Sequence, residues 1–356
     1  MTKKEIIAKI KKTQLGGRGG ASFPVHLKWQ TVKKALGKNK NAYLIINAAE
    51  GEPNLIKDGY ILSNHFDFIL HGLNLSLNYL NYNRVEKIYC FIRADYYKKN
   101  KKKFKEILNK AEFLELSKKF SFFIKPDKDD YMAGEESVLL NIIESKEAKP
   151  RLKPPYPGES GLYNQPTLIH NVETWYSLGR ISLNLYENKR YYHISGQVKN
   201  PGLVKLSEDL SAKKVLESTG NLPKSRFFAQ LGGDACGQVL LDSQLNNAVE
   251  GSGSITVYPL KAKVAEEVLK RWLDFHCQQS CGQCIPCREG TYRLNEMMLK
   301  NHFKNKDLSD LVYTLKFSSF CAFGKSLADV LHNFFVNIYP QISKASKINI
   351  ETKKKN

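Results

Sequence analysis

The chain has 356 residues, of which 42% are apolar, 55 are Lys or Arg and 35 are Asp or Glu, leaving a formal charge of +20. That length can bury a sizeable core and predicts two or three domains, while no stretch reaches the ~18 uninterrupted apolar residues of a membrane span. The start MTKKEII lacks the apolar run of a secretion signal, and the lysines are spread out or gathered in runs such as 98–105 and 353–355 that read as solvated faces, so no nucleic-acid partner is expected; an acidic partner subunit or anionic lipid surface remains compatible.

In chain order, a Lys-rich amphipathic pattern predicts a helix over 3–12, running into LGGRGGASFP at 15–24. Gly16, Gly17, Gly19 and Gly20 are too dense for a helix interior, so a loop is expected in which backbone closely approaches another group. With Arg18 inside it and Lys28 just beyond, the loop offers N–H groups and two cations, a set that cradles phosphate, although a plain turn is the simpler reading of the loop by itself. It has neither the spacing of a nucleotide-hydrolysing loop nor the preceding strand of a dinucleotide fingerprint.

An apolar strand is predicted at 42–47, a polar loop at 48–53, helical patterning over 60–80, a strand at 87–92 and a Lys-rich helix over 98–116. This alternation implies an α/β layered domain ending near residue 185. Three further segments are unusually rich in charged or amide groups: NAAEGEP at 47–53, GEE at 134–136, and PRLKPPYP at 150–157 with HNVET at 170–174. Asn and Glu side chains there can hydrogen-bond a flavin edge or ribose hydroxyls, and Phe23 or Tyr156 can stack on a flat ring; each segment alone also suits an ordinary capped or turn-forming loop.

From 191 to 260 the texture changes. Strands at 192–198 and 202–206 flank a Pro- and Gly-containing turn, a helix is expected over 211–220, and a strand pair followed by one helix reads as a small ubiquitin-like β-grasp domain. Val264, Val268 and Trp272 recur at helical spacing and lead into CGQCIPC, which holds Cys281, Cys284 and Cys287; Cys321 follows in FCAFG. Three thiolates at two-residue gaps plus a fourth from a distant segment suit a [4Fe–4S] cluster. Zinc, the competing metal, usually takes its thiolates from two separate C-x2-C pairs. Cys277 lies close enough to be a spare ligand, Cys90 and Cys236 read as isolated, and seven cysteines without regular pairing suit a reducing cytosol.

Together, GRGGASFP at 17–24 with LKW at 27–29, NAAEGEP at 47–53 with Lys57 and Asp58, GEE at 134–136, PRLKPPYP at 150–157, NVET at 171–174 and SCGQCIPCREG at 280–290 resemble the flavin- and NADH-binding subunit of respiratory complex I. The related diaphorase subunits of NAD-linked hydrogenases and formate dehydrogenases share these motifs. The resemblance runs in order from about residue 5 to 340. It implies a Rossmann-like FMN/NADH-binding domain over 1–185, a β-grasp domain over 190–260, a helical [4Fe–4S] domain over 264–345 and a flexible basic tail over 346–356.

By that resemblance Gly17, Arg18, Gly19, Gly20, Lys28, Asn47, Glu50, Gly134, Glu135, Glu136 and Asn171 hold FMN, and Phe23, Glu52, Lys153 and Tyr156 meet NADH. Glu52 and Glu136 lie near flavin and nicotinamide, and no residue acts as a nucleophile. The cluster ligands are Cys281, Cys284, Cys287 and Cys321. The implied activity is NADH oxidation through FMN with single electrons passed to the cluster. Implied partners are a thioredoxin-fold ferredoxin subunit and a larger multi-cluster subunit, in a peripheral arm on the cytoplasmic face of the cell membrane. The sequence departs from the usual pattern at Ser22, Val25, His26, Ala49, Asn54, Leu55, Gly59 and His170. Those departures keep open a non-catalytic iron–sulfur scaffold, a diaphorase of another complex, and a ferredoxin:NAD oxidoreductase subunit.

Overall fold

A computed structural model describes residues 1–37, 40–127 and 131–351, which divide by contacts into two units. The first comprises Met1–Gly51 and Ile56–Asn188, the second Glu52–Leu55 and Lys189–Asn356.

The first unit opens with α1 (Lys3–Lys12), where Thr2 and Glu5 form a reciprocal capping box and Ile6 and Ile10 are buried. Then come α2 (Val25–Leu36), β1 (Ala42–Ala48), α3 (Lys57–Asn64), α4 (Phe66–Leu80), β2 (Val85–Ile92), α5 (Ala94–Leu108), α6 (Leu114–Ser117), β3 (Phe120–Ile124), α7 (Glu136–Ile143), β4 (Thr167–Asn171) and α8 (Val172–Ser182). The strands form a parallel sheet in the order β3-β2-β1-β4, a Rossmann-like arrangement. Central β1 is nearly continuously apolar, as a parallel strand covered on both faces must be. Helices α4 and α8 meet backbone to backbone: a Cβ on Gly72 would lie 2.4 Å from the Trp175 carbonyl oxygen, and one on Gly179 would lie 1.8 Å from that of Phe68.

The helical pattern expected over 60–80 divides at His65, whose backbone (φ −140°, ψ 32°) is not helical. The Lys-rich helix expected over 98–116 instead starts at Ala94, with Asp95 in the favourable first turn, and stops at Leu108. Phe104 and Ile107 share its buried face, but Phe113 lies six residues past Ile107, off the helical period, so burying it requires the chain to turn. The segment 170–174, expected as a polar loop, is the end of β4 and the start of α8.

The second unit contains β5 (Lys189–Gly196), β6 (Gly202–Ser207), α9 (Ala212–Ser218), β7 (Phe227–Leu231), β8 (Gln238–Leu241) and β9 (Ser254–Pro259). Helices α10 (Ala262–Gln279) and α11 (Ile285–Leu299), β10 (His302–Lys304), α12 (Asn305–Ser318), α13 (Ala322–Asn333) and β11 (Asn349–Glu351) follow. The sheet order is β6-β5-β9-β7-β8, with β5 parallel to β9 and the remaining pairs antiparallel. Its residues alternate between two cores. Phe227, Ala229 and Leu231 join Val215 and Leu216 of α9, while Phe228, Val239 and Tyr258 join Trp272, Leu294, Leu315 and Phe334 of the helical region. Residues 190–260 and 264–345 thus share one sheet. Within the expected tail, Asn349–Glu351 pairs with β10; residues 352–356 lie outside the described residues. Among the described residues no helix is long and apolar enough to cross a membrane.

Candidate functional site

Strand order reverses between β1 and β4, and the carboxyl ends of two such strands open a crevice where open α/β sheets bind ligands. Asn47 and Asn171 stand there side by side, paired in register. The glycine loop joins them: a Cβ on Gly19 would lie 3.1 Å from that of Asn171, the Arg18 N–H donates to Thr174 Oγ1 (2.9 Å), and Lys57 Nζ donates to the Arg18 carbonyl (2.9 Å). Asn47 Nδ2 donates to the Gly134 carbonyl (2.8 Å), bringing in the fourth segment. Segments far apart in sequence therefore converge on one strand-end crevice.

Most of the polar side chains named from the sequence already have protein partners. Asn171 caps α8, its Oδ1 accepting from the Glu173 N–H (3.0 Å) while Nδ2 donates to Asp58 Oδ2 (2.6 Å). Glu135 caps α7, accepting from the N–H groups of Ser137 and Val138. The Glu50 carboxylate turns into the start of α3, where the Asp58 N–H donates to it at 2.7 Å, so what Glu50 can offer a ligand is its backbone. Lys153 Nζ bridges Glu135 (2.7 Å) and Glu136 (3.1 Å), and Lys28 Nζ meets Glu136 at 3.0 Å. Burial alone would raise the Glu136 carboxyl, but the ammoniums of Lys28 and Lys153 outweigh it and hold it below the usual range.

Beneath these groups, Lys57 and Glu173 form a buried ion pair at 3.1 Å. Burial, and then the nearby Glu50 charge, push the Asp58 carboxyl well above its usual range. His170 is buried and its Nε2 accepts from Trp29 Nε1–H (3.0 Å), which fixes the proton on Nδ1; burial, with Lys28 adding to it, keeps the ring neutral. Phe23 and Tyr156 are more than half exposed. Glu52 belongs to the second unit, where its Oε2 accepts the Ala235 N–H (3.2 Å) and Asn54 Nδ2 donates to Asp234 (2.8 Å).

In the second unit Cys284 and Cys321 immediately precede α11 and α13, Cys287 lies in the first turn of α11, and Cys281 lies three residues before Cys284. All are free thiols. The start of α13 packs closely on α11, since a Cβ on Gly324 would come 3.2 Å from Cys287 Cβ. Burial pushes the Cys287 thiol up to about 11, with Cys284, Cys321 and Cys281 adding to the rise against a hydrogen bond from Ser280 Oγ (3.4 Å). The other three cysteines therefore lie close enough to act on the Cys287 thiol. Among the described residues no three His, Cys, Asp or Glu side chains converge as a single metal ion would require, whereas in a cubane each thiolate binds a different iron.

Two families match the chain: the Nuo51 FMN-binding domain over residues 10–180, and the NADH-ubiquinone oxidoreductase-F iron–sulfur binding region over 267–344. The F 2 subunit of NADH-quinone oxidoreductase in Rhizobium meliloti (strain 1021) is 31% identical, the match covering 92% of this chain and 85% of that protein. The chain belongs to the family of NADH-quinone oxidoreductase F subunits. The F subunit of the same enzyme in Buchnera aphidicola subsp. Schizaphis graminum (strain Sg) is 30% identical over 87% of this chain and 76% of its own. In fold the chain is similar to an NAD+-reducing [NiFe]-hydrogenase in the H2-reduced state, with a TM-score of 0.85 and 24% identity, covering 98% of this chain and 63% of the hydrogenase chain.

The residues present fit the two groups these families hold. No described hydrogen bond uses the amides of Gly19 and Gly20, both exposed; the start of α2 has no side-chain cap; and Lys28 lies in its first turn, a donor set suited to phosphate. Ser22, a departure from the family's usual glycine, keeps a left-handed backbone with φ 50°. Four thiols beside two helix starts fit a cluster in the same way. Thr174 and Ser280 lie within the sequence motifs, which do not mark their hydrogen bonds, and no sequence signal marks the Cys236–His276 pair (Sγ to Nε2 3.8 Å), whose imidazole stacks on Phe323, two residues past Cys321. Lys57 and Glu173 each lie within a motif, but nothing in the sequence marks them as a buried ion pair.

Proposed function

We propose that this chain is the NADH-oxidising subunit of an NADH:quinone oxidoreductase. The observation that carries the reading is the convergence of the glycine loop, Asn47, Gly134 and Asn171 at the strand-order reversal. When bound there, FMN would supply hydride acceptance from NADH and one-electron release toward a [4Fe–4S] cluster. The amides of Gly19 and Gly20 with Lys28 would take its phosphate, backbone of 47–50 and 134–136 would line it, and Cys281, Cys284, Cys287 and Cys321 would hold the cluster. Lys153, Glu136 and the exposed rings of Phe23 and Tyr156 would receive the dinucleotide.

The five-stranded sheet, in which the first and last strands run parallel at its centre and a helix follows the first hairpin, supports a β-grasp reading of 190–260. On this reading 1–185 binds FMN and NADH and 264–345 holds the cluster. A cluster that takes electrons one at a time must pass them on, which supports a thioredoxin-fold ferredoxin subunit and a larger multi-cluster subunit as partners, in a peripheral arm on the cytoplasmic membrane face.

Anaerobically reconstituted protein should show a flavin absorbance band, release FMN on denaturation and reduce ferricyanide with NADH. Cluster signals without flavin would sink this reading in favour of a scaffold subunit.

A further inference from the structure

Glu50 is bent into the left-handed region (φ 24°), where a side chain is strained, and something must hold it there. Its carboxylate accepts from the Asp58 N–H (2.7 Å), the Gly59 N–H (3.3 Å) and the Tyr96 hydroxyl (2.5 Å). Its carbonyl accepts from Arg93 Nη1 (3.2 Å), and the same guanidinium lies over the Tyr96 ring at 4.6 Å. Tyr96 reaches Glu50 across the surface of α3 at a residue without a side chain: a Cβ on Gly59 would lie 2.7 Å from two ring carbons, closer than atoms can approach. Gly59 is otherwise a poor choice inside a helix, where Ala is better by roughly 1 kcal/mol. Space for the phenol is the physical reason for its presence.

We propose that Tyr96, seated in the room left by Gly59 and braced by Arg93, is a positioning residue that fixes Glu50 and hence the backbone of the 47–51 loop at the strand-end crevice. Its consequence for flavin rests on the FMN reading above. The hydroxyl completes the set of donors around the carboxylate, which leaves the Glu50 side chain no freedom to swing toward the crevice and keeps the loop's backbone in one orientation. Burial and the Glu50 charge keep the phenol protonated, so it remains a donor across the working pH range.

The test uses the full chain with FMN as probe, following amide exchange of the ligand-free protein, FMN affinity by fluorescence quenching and melting temperature. Tyr96→Phe keeps the ring and removes the hydroxyl; it should speed exchange of the Asp58 and Gly59 amides and weaken FMN by about tenfold, the size of a lost charge-assisted hydrogen bond. Unchanged exchange in Tyr96→Phe overturns the proposal. If exchange responds but the wild-type chain takes up no FMN, the positioning role stands and the flavin reading falls. Gly59→Ala should lower the melting temperature with Tyr96 present and raise it in the Tyr96→Ala background, where helix propensity alone acts. Equal effects of Gly59→Ala in both backgrounds would show that the ring does not occupy that space, and would overturn the proposal.

Discussion

The strand-end crevice of the first unit and the cysteine quartet of the second are finished to different degrees by the protein alone. Around the crevice nearly every polar side chain has a partner within the chain: Asn171 caps a helix and holds Asp58, Glu135 caps another, and Lys57 is paired with Glu173. At the quartet, desolvation first and then the neighbouring cysteines raise the Cys287 thiol to about 11, so that thiol stays protonated until a metal displaces its proton. The first site is organised by folding; the second holds at least one group, Cys287, whose burial opposes the thiolate form. Removing a member should therefore cost stability in the first region and cluster occupancy in the second.

The largest effect is expected at the quartet. Cys284→Ser should abolish bound iron and sulfide after reconstitution, as read by elemental analysis and cluster absorbance, whereas Cys90→Ser, altering a buried strand thiol, should leave both unchanged. Iron retained by Cys284→Ser would erase the contrast. Next comes Lys57→Met, which strands the Glu173 carboxylate in a buried setting and should lower unfolding free energy by about 3–5 kcal/mol in denaturant titrations. An effect at the level of a surface substitution would show the crevice to be less organised than its hydrogen bonds imply.

A smaller effect is expected from pH. The Glu136 carboxyl is depressed, so its contribution is complete above the ordinary carboxylate range of about 4 and is lost as pH falls through its lower folded value. Lys153 is raised: burial opposes the rise but Glu136 and then Glu135 overcome it, so its share is complete below the ordinary ammonium range and is lost only as pH rises through the higher folded value. Glu136→Gln should flatten the acid limb of the stability profile; an identical limb in the variant would remove the charge cluster from the account. Smallest is Ser211→Ala, at about 1 kcal/mol, because Ser211 Oγ caps α9 by accepting from the Lys214 N–H (3.3 Å).

Elements marked by local chemistry were legible in the sequence. The helix at 3–12 has its capping box, α9 has its serine, and β1 has its apolar run. The order and register of the sheet were not, because Asn47 and Asn171, 124 positions apart, meet only through strand pairing. His170 is polar in sequence and read as loop, yet it is buried at a strand end because Trp29 supplies a hydrogen bond from far along the chain. The cysteine spacing was legible since three of the four cysteines are local; the Cys236–His276 pair was not, its members being 40 residues apart. Tyr96 carries no signal, being one of three aromatics in a helix that begins four residues before its Lys-rich run.

The contact between Gly72 and Gly179 bears on how this protein can vary. Because the backbones of α4 and α8 touch there, neither position can accept even one methyl group without the helices parting, and α8 begins at Val172, directly after Asn171. The site's tolerance to mutation is therefore governed partly by two residues that no ligand touches. In a comparison of variants, Gly72 and Gly179 should be as intolerant of substitution as the residues at the crevice, while the exposed lysines of α5 drift freely.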